Sequence, residues 1–143
     1  MLQFPDLQKY PTITILIDDN QKKSVKEMEC FVKESFKPKR MRFIIMTNSL
    51  QEDLLQSDSM FFIDNKDFNK LGLLKKEKEI ILKSLFDEIL INLSDNNENL
   101  LNDYLVSCIN STFKIGHPKT NMNLHDLIID YGIEKNDVER LKI

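Results

Sequence analysis

Polar residues that could bind a ligand or a metal ion follow several apolar segments of the chain. They are Asp18, Asp19, Asn48, Asp64, Ser94, Asp95 and His117. Oxygen donors predominate in this set, and carboxylate, amide and hydroxyl oxygens are ligands that suit Mg²⁺. Turns that follow buried strands also favour Asp, Asn and Ser because of their local backbone geometry. The set therefore predicts either a ligand-binding edge or a group of ordinary turns, and both interpretations stay open.

Short apolar segments that have the composition of buried strands precede these residues. They are Thr12–Ile17, Met41–Thr47, Met60–Ile63, Glu88–Leu93, Ser111–Ile115 and His125–Tyr131, and the last could also be a helix. Apolar residues at helical spacing lie between them, at 25–36, 74–85 and 101–108. Two further short helices are predicted at Leu50–Gln56 and Glu134–Leu141.

The alternation of strands and helices predicts an α/β fold. Strands that are apolar almost throughout favour a parallel sheet whose two faces are both covered. We therefore expect a single open, mostly parallel sheet of five to six strands with helices on both faces, Rossmann-like or flavodoxin-like. The length suits a single domain over residues 1–143. In open α/β sheets, ligands bind at the carboxyl ends of the strands, which is where the candidate residues fall.

The sequence has few features of an enzyme. It contains only three glycines, which stand far apart as punctuation between elements, so a glycine-rich phosphate loop is not expected. Ser94 lacks the flanking glycines of a nucleophile elbow. His117 and His125 have no Cys or Glu at metal-ligand spacing. These observations favour a binding or interaction module, with a protein or small-molecule partner and no identified cofactor.

The net charge and the hydropathy of the chain limit the kinds of partner it can bind and the cellular compartment in which we expect it. The net charge of −3 supplies no basic field for a nucleic acid. No apolar run approaches the length of a membrane span, and the N-terminus lacks a signal-peptide pattern. Cys30 and Cys108 form no metal or redox motif, so we expect buried free thiols and a cytoplasmic protein.

Two charged segments have ordinary structural interpretations. The basic run 37–42 follows a predicted helix, and positive side chains there complement the negative carboxyl end of the helix dipole. A nuclear-import or phosphate-binding role is the alternative interpretation. The acidic pair Asp87 and Glu88 is interpreted as a solvated turn before the fourth strand. Self-association through an edge strand or the final helix is a further hypothesis, because unpaired backbone can recruit a second chain.

The segments ILIDDN and FFID, then Ser94 and a basic residue before Pro118, resemble the layout of response-regulator receiver domains. That resemblance implies that Asp18 and Asp19 hold Mg²⁺ and that Asp64 accepts phosphate. It also implies that Ser94 senses the phosphoryl group. His117 takes the position of the family's lysine.

A second resemblance covers most of residues 60–143. The segments LFDEILINLS, YLVSCINSTFKIG and DLIID are similar to a small uncharacterised bacterial family, known only as a domain of unknown function. This resemblance implies an α/β sandwich and no known activity. The FDEILINLS and FKIG segments also resemble the end of the N-terminal half of heptosyltransferases, which implies a relation of fold and not of catalysis.

Overall fold

The computed structural model describes residues 11–47, 60–64, 67–94, 100–117, 120 and 124–129. Strands and helices alternate along this part of the chain. They are β1 (Thr12–Asp18), α1 (Val25–Phe36), β2 (Arg40–Thr47), β3 (Met60–Asp64), α2 (Lys76–Ser84), β4 (Phe86–Asn92), α3 (Leu100–Cys108), β5 (Asn110–Gly116) and β6 (Leu127–Ile128), with a 3₁₀ helix at Asp19–Ser24.

Most predicted strands are confirmed, with changes at their ends. β4 begins two residues before its predicted start, and β6 is a strand of only two residues, Leu127–Ile128. The strand interpretation of this last segment is therefore confirmed over a shorter range than the sequence suggested. The helices predicted at Leu50–Gln56 and Glu134–Leu141 lie outside the described residues.

The six described strands form one open sheet in the order β3-β2-β1-β4-β5-β6. Every pairing between neighbouring strands is parallel, so the expected parallel sheet is confirmed. This arrangement corresponds to the 3-2-1-4-5-6 order of doubly wound sheets and differs from the flavodoxin-like order 2-1-3-4-5. The order changes direction between β1 and β4, and this point is called a topological switch point.

Helices cover both faces of the sheet, as predicted. Successive side chains of a strand point to opposite faces, so each central strand contributes to two separate apolar clusters. One cluster joins α1 to one face through Val25, Met28, Val32, Ile13, Ile15 and Ile17. The other joins α2 and α3 to the opposite face through Leu82, Leu105, Val106, Leu16, Ile44 and Leu90.

The interpretation of Asp87 as part of a solvated turn is wrong. Asp87 lies within β4, and its side chain is only 1% exposed. Arg40 donates to Oδ1 of Asp87 from Nε at 3.0 Å and from Nη2 at 2.9 Å. Arg42 donates from Nη1 to Oδ2 at 2.9 Å, and the Thr14 hydroxyl donates to the same oxygen. The two arginines of the basic run therefore balance a buried carboxylate on another strand.

Both cysteines are free thiols, but only one is buried. Cys108 lies in the cluster between the sheet and the helices α2 and α3, whereas Cys30 is exposed on α1. The expectation that both would be buried is therefore wrong for Cys30, because α1 packs against the sheet through Val25, Met28 and Val32 instead.

Candidate functional site

Three of the candidate residues meet at the switch point. Asp18 is the last residue of β1, Ser94 follows β4 by two positions, and His117 directly follows β5. β1 pairs with β4, and β4 pairs with β5. Because the strands are parallel, their carboxyl ends lie together at one edge of the sheet. α1 leaves β1 on one face and α3 leaves β4 on the other, and the crevice between such connections is where doubly wound sheets bind ligands.

Hydrogen bonds link these three residues. The Ser94 hydroxyl donates to Oδ1 of Asp18 at 2.6 Å. Nε2 of His117 lies 2.8 Å from the carbonyl oxygen of Ser94. A carbonyl oxygen accepts only, so Nε2 of His117 carries the proton of this bond. All three residues are buried, and the bond to the Asp18 carboxylate belongs to the stronger, charge-assisted class.

Gln21 completes the connection between the ends of β1 and β4, and sequence reasoning missed it. Its side-chain oxygen accepts from the backbone N–H of Asp18 at 2.8 Å, and its Nε2 donates to the carbonyl oxygen of Leu93 at 2.9 Å. Gln21 is buried although it belongs to a strongly polar segment, DNQKKS. Its only signal in the sequence is that it follows β1 closely.

A second polar group adjoins the first. Nδ2 of Asn92 donates to Oδ1 of Asn102 at 2.9 Å and lies 3.2 Å from Nε2 of His125. Oδ1 of Asn92 accepts from the backbone N–H of Ser94 at 3.2 Å, so the two groups are joined. Asn92 and Asn102 are buried. Asn92 did carry a signal, because an amide inside the otherwise apolar run ILINL needs a buried partner.

Gly116 allows this edge to close tightly. A Cβ atom at Gly116 would lie 2.8 Å from two ring carbons of His125 and would also overlap the Thr120 hydroxyl. That hydroxyl accepts from the backbone N–H of His117 at 3.1 Å and donates to the His117 carbonyl oxygen at 2.6 Å. Glycine is therefore required at position 116 because the side chains of Thr120 and His125 approach its Cα closely. At position 72 glycine is favoured for a different reason, a positive φ of 81°.

We expect Gly116→Ala to reduce the free energy of unfolding by about 1–3 kcal/mol, because the added methyl group overpacks a closed site. Urea unfolding followed by circular dichroism measures the loss. NMR signals of the His125 ring should shift in this variant. Gly72→Ala is the control, because its Cβ would meet no atom within 4 Å and its cost comes from backbone strain alone. Unshifted His125 signals in Gly116→Ala would contradict the contact.

Asp64 lies apart from the other candidates. It is the buried last residue of β3, and its backbone N–H donates to Oδ2 of Asp67 at 2.7 Å. β3 pairs with β2 and β2 pairs with β1, so one whole strand separates Asp64 from Asp18. With neighbouring strands about 4.8 Å apart, the β1 and β3 backbones are about 9.6 Å apart. In the flavodoxin-like order of receiver domains β1 and β3 are neighbours, so the resemblance to receiver domains is not supported.

The remaining candidate residues are Asp19, Asn48 and Asp95. Asp19 begins the 3₁₀ helix after β1, while Asn48 and Asp95 lie outside the described residues. Among the described residues, no three His, Cys, Asp or Glu side chains form a group that could hold a metal ion. Binding of Mg²⁺ by Asp18 and Asp19 thus stays a prediction.

No helix in the described ranges is long and apolar enough to cross a membrane.

One comparison with known proteins gives a match. The model of a family of unknown function, DUF6913, matches residues 3–142. No curated protein and no solved structure matches the chain. The expectation of an uncharacterised family is confirmed, and the resemblance to heptosyltransferases is not supported.

Proposed function

We propose that this protein, which belongs to the DUF6913 family of unknown function, is a binding domain for a small polar molecule. The binding site is the carboxyl edge of the sheet above β1, β4 and β5. The observation that carries the proposal is the hydrogen-bonded group of Asp18, Ser94 and His117 at the switch point. These side chains come from three neighbouring strand ends, at the position where sheets of this order bind ligands.

The hydrogen bonds favour binding over acyl-transfer catalysis. A serine nucleophile needs a general base within hydrogen-bond reach of its hydroxyl group. Here the Ser94 hydroxyl donates to Asp18, while the His117 ring contacts the Ser94 carbonyl oxygen. Asp18, Ser94 and His117 thus form a buried hydrogen-bonded group at the strand ends, and the contacts of Ser94 differ from those of a proton relay.

The chemistry of the site favours a ligand that carries hydroxyl groups. A carboxylate such as that of Asp18 accepts only, so a ligand hydroxyl group can donate to it. The negative charge of Asp18 opposes an anionic ligand at the same place.

D-Ribose is a suitable probe, because it is small, neutral and rich in hydroxyl groups. We expect about 100 mM D-ribose, enough for millimolar affinity, to shift the amide signals of Asp18, Ser94 and His117 in a heteronuclear NMR spectrum. Ser94→Ala should weaken this binding, because the variant removes the hydroxyl group that orients Asp18. Sodium phosphate should leave these signals in place, and MgCl₂ in a separate titration tests the predicted metal site at Asp18 and Asp19.

Ser107→Ala is the matched control for Ser94→Ala. Ser107 is an exposed serine of α3 whose hydroxyl donates to the Tyr104 carbonyl oxygen at 2.7 Å, within its own helix. Its replacement should leave the response to D-ribose unchanged. Equal responses from the wild type and from Ser94→Ala would refute the placement of the site.

A further inference from the structure

Two cavities open at the amino-terminal edge of the sheet, opposite the candidate site. The larger one, of about 460 Å³, is lined by Thr12, Lys39, Arg40, Phe86 and Glu88. The smaller one, of about 270 Å³, also contains Lys39 and Arg40. Its apolar lining is supplied by Pro38, Met41, Phe43 and Met60. Two cationic side chains are therefore common to both cavities.

The guanidinium group of Arg40 is held in a fixed orientation. Its Nε and Nη2 donate to Oδ1 of Asp87, and Nη2 also donates to the Phe86 carbonyl oxygen at 2.6 Å. The Arg40 side chain is 49% exposed, while that of Asp87 is 1% exposed. Nη1 is the donor group that these bonds do not use. A guanidinium fixed in this way loses little further freedom when it binds an anion.

Positive charge is concentrated at this edge. Asp87 carries a single negative charge and contacts the guanidinium groups of both Arg40 and Arg42. Lys39 adds an exposed ammonium group that lines both cavities, and its backbone N–H is bound to the Pro11 carbonyl oxygen at 3.0 Å. Arg40 and Lys39 can therefore contact the same anionic group.

The surroundings of these cations restrict the kind of anion. Phe86 is 49% exposed beside Arg40, which offers an apolar surface to a ligand. Glu88 lines the larger cavity, and Glu29 lines the smaller one, where it is paired with Lys33 at 2.6 Å. The carboxylate of Glu88 opposes a multiply charged ligand such as phosphate. The edge therefore suits one negative charge joined to an apolar group.

We propose that the amino-terminal edge is a second binding site, specific for a small monocarboxylate that carries an aromatic or aliphatic tail. Arg40 donates to the carboxylate from Nη1, the nitrogen that its bonds to Asp87 and Phe86 do not use, and Lys39 adds a second charged donor. The tail packs on Phe86. This site is independent of the proposed function of the carboxyl edge, since the two sites lie at opposite ends of the strands.

Titration of the full chain with sodium 4-phenylbutyrate tests this site by NMR. We expect the amide signals of Lys39, Arg40, Phe86 and Glu88 to shift, while those of Ser94 and His117 stay in place. The neutral analogue 4-phenylbutanol should bind about tenfold more weakly or worse, because it lacks the charge-assisted bonds. Inorganic phosphate should also bind more weakly than 4-phenylbutyrate.

The basic run supplies a matched pair of variants. Lys39→Gln should weaken 4-phenylbutyrate binding by about two- to fivefold, the effect of one exposed ion pair. Lys37→Gln removes an exposed lysine that lines neither cavity, and it should have no effect. Equal binding of the acid and the alcohol, equal effects of the two variants, or the absence of shifts at this edge would each overturn the proposal.

Discussion

Replacement of Asp87 by alanine is expected to lower the free energy of unfolding by about 3–5 kcal/mol, the range for the removal of one partner of a buried ion pair. The variant deletes the carboxylate that Arg42 contacts at 2.9 Å, and the Arg42 side chain is only 8% exposed. It also removes the acceptor of the Thr14 hydroxyl, which is buried. Two desolvated donors therefore lose the same partner at once.

Urea unfolding followed by far-ultraviolet circular dichroism measures this loss, since the chain contains no tryptophan for fluorescence. Glu88→Ala is the control on the same strand, and it should cost less than about 1 kcal/mol because Glu88 is only half-buried and lines an open cavity. The double variant Asp87→Leu with Arg42→Met should recover part of the stability, because it removes both charges together. Similar losses from Asp87→Ala and Glu88→Ala would contradict this account.

Leu16→Ala is expected to cost about 2–5 kcal/mol, the range for truncating a fully buried leucine. Leu16 is 0% exposed and lies in β1, which has a paired strand on each side. Its side chain belongs to the cluster between the sheet and the helices α2 and α3. A cavity at this point has little freedom to collapse, because strands flank it and helices cover it.

The same unfolding experiment on Leu127→Ala provides the comparison. Leu127 is 40% exposed on the two-residue edge strand β6, so its truncation should cost less than about 1 kcal/mol. The contrast tests the central position of β1 and the edge position of β6 in the sheet. A loss from Leu127→Ala as large as that from Leu16→Ala would contradict the edge position of β6.

Local patterns in the sequence were sufficient to predict the elements but not their arrangement. The run TITILI and the spacing of Val25, Met28 and Val32 are signals within a few residues of each other, and the structure confirms the strand and the helix they indicate. Strand order depends on contacts between distant segments, such as Ile13 with Ile89. The sequence therefore left the Rossmann-like and flavodoxin-like orders open, and the pairing of β1 with β4 was not predictable.

The candidate site, like the fold, was predictable from the sequence only where the signal was local. Asp18, Ser94 and His117 were identifiable because each follows a predicted strand, and carboxyl ends of parallel strands share one edge. Gln21 was missed because one of its partners, Leu93, lies 72 residues away in the sequence. Asp87 was misinterpreted for the same reason, since Arg40 and Arg42 lie 47 and 45 residues away.

The central position of β1 has a consequence for synthesis on the ribosome. β1 gains its first neighbour, β2, early, but the contact between Thr12 and Glu88 spans 76 residues. At about 5–20 residues per second, the ribosome needs about 4–15 s to make that length. Throughout this interval the emerging chain carries an apolar strand with at least one open hydrogen-bonding edge. This edge of β1 stays without its native partner until β4 emerges and pairs with it.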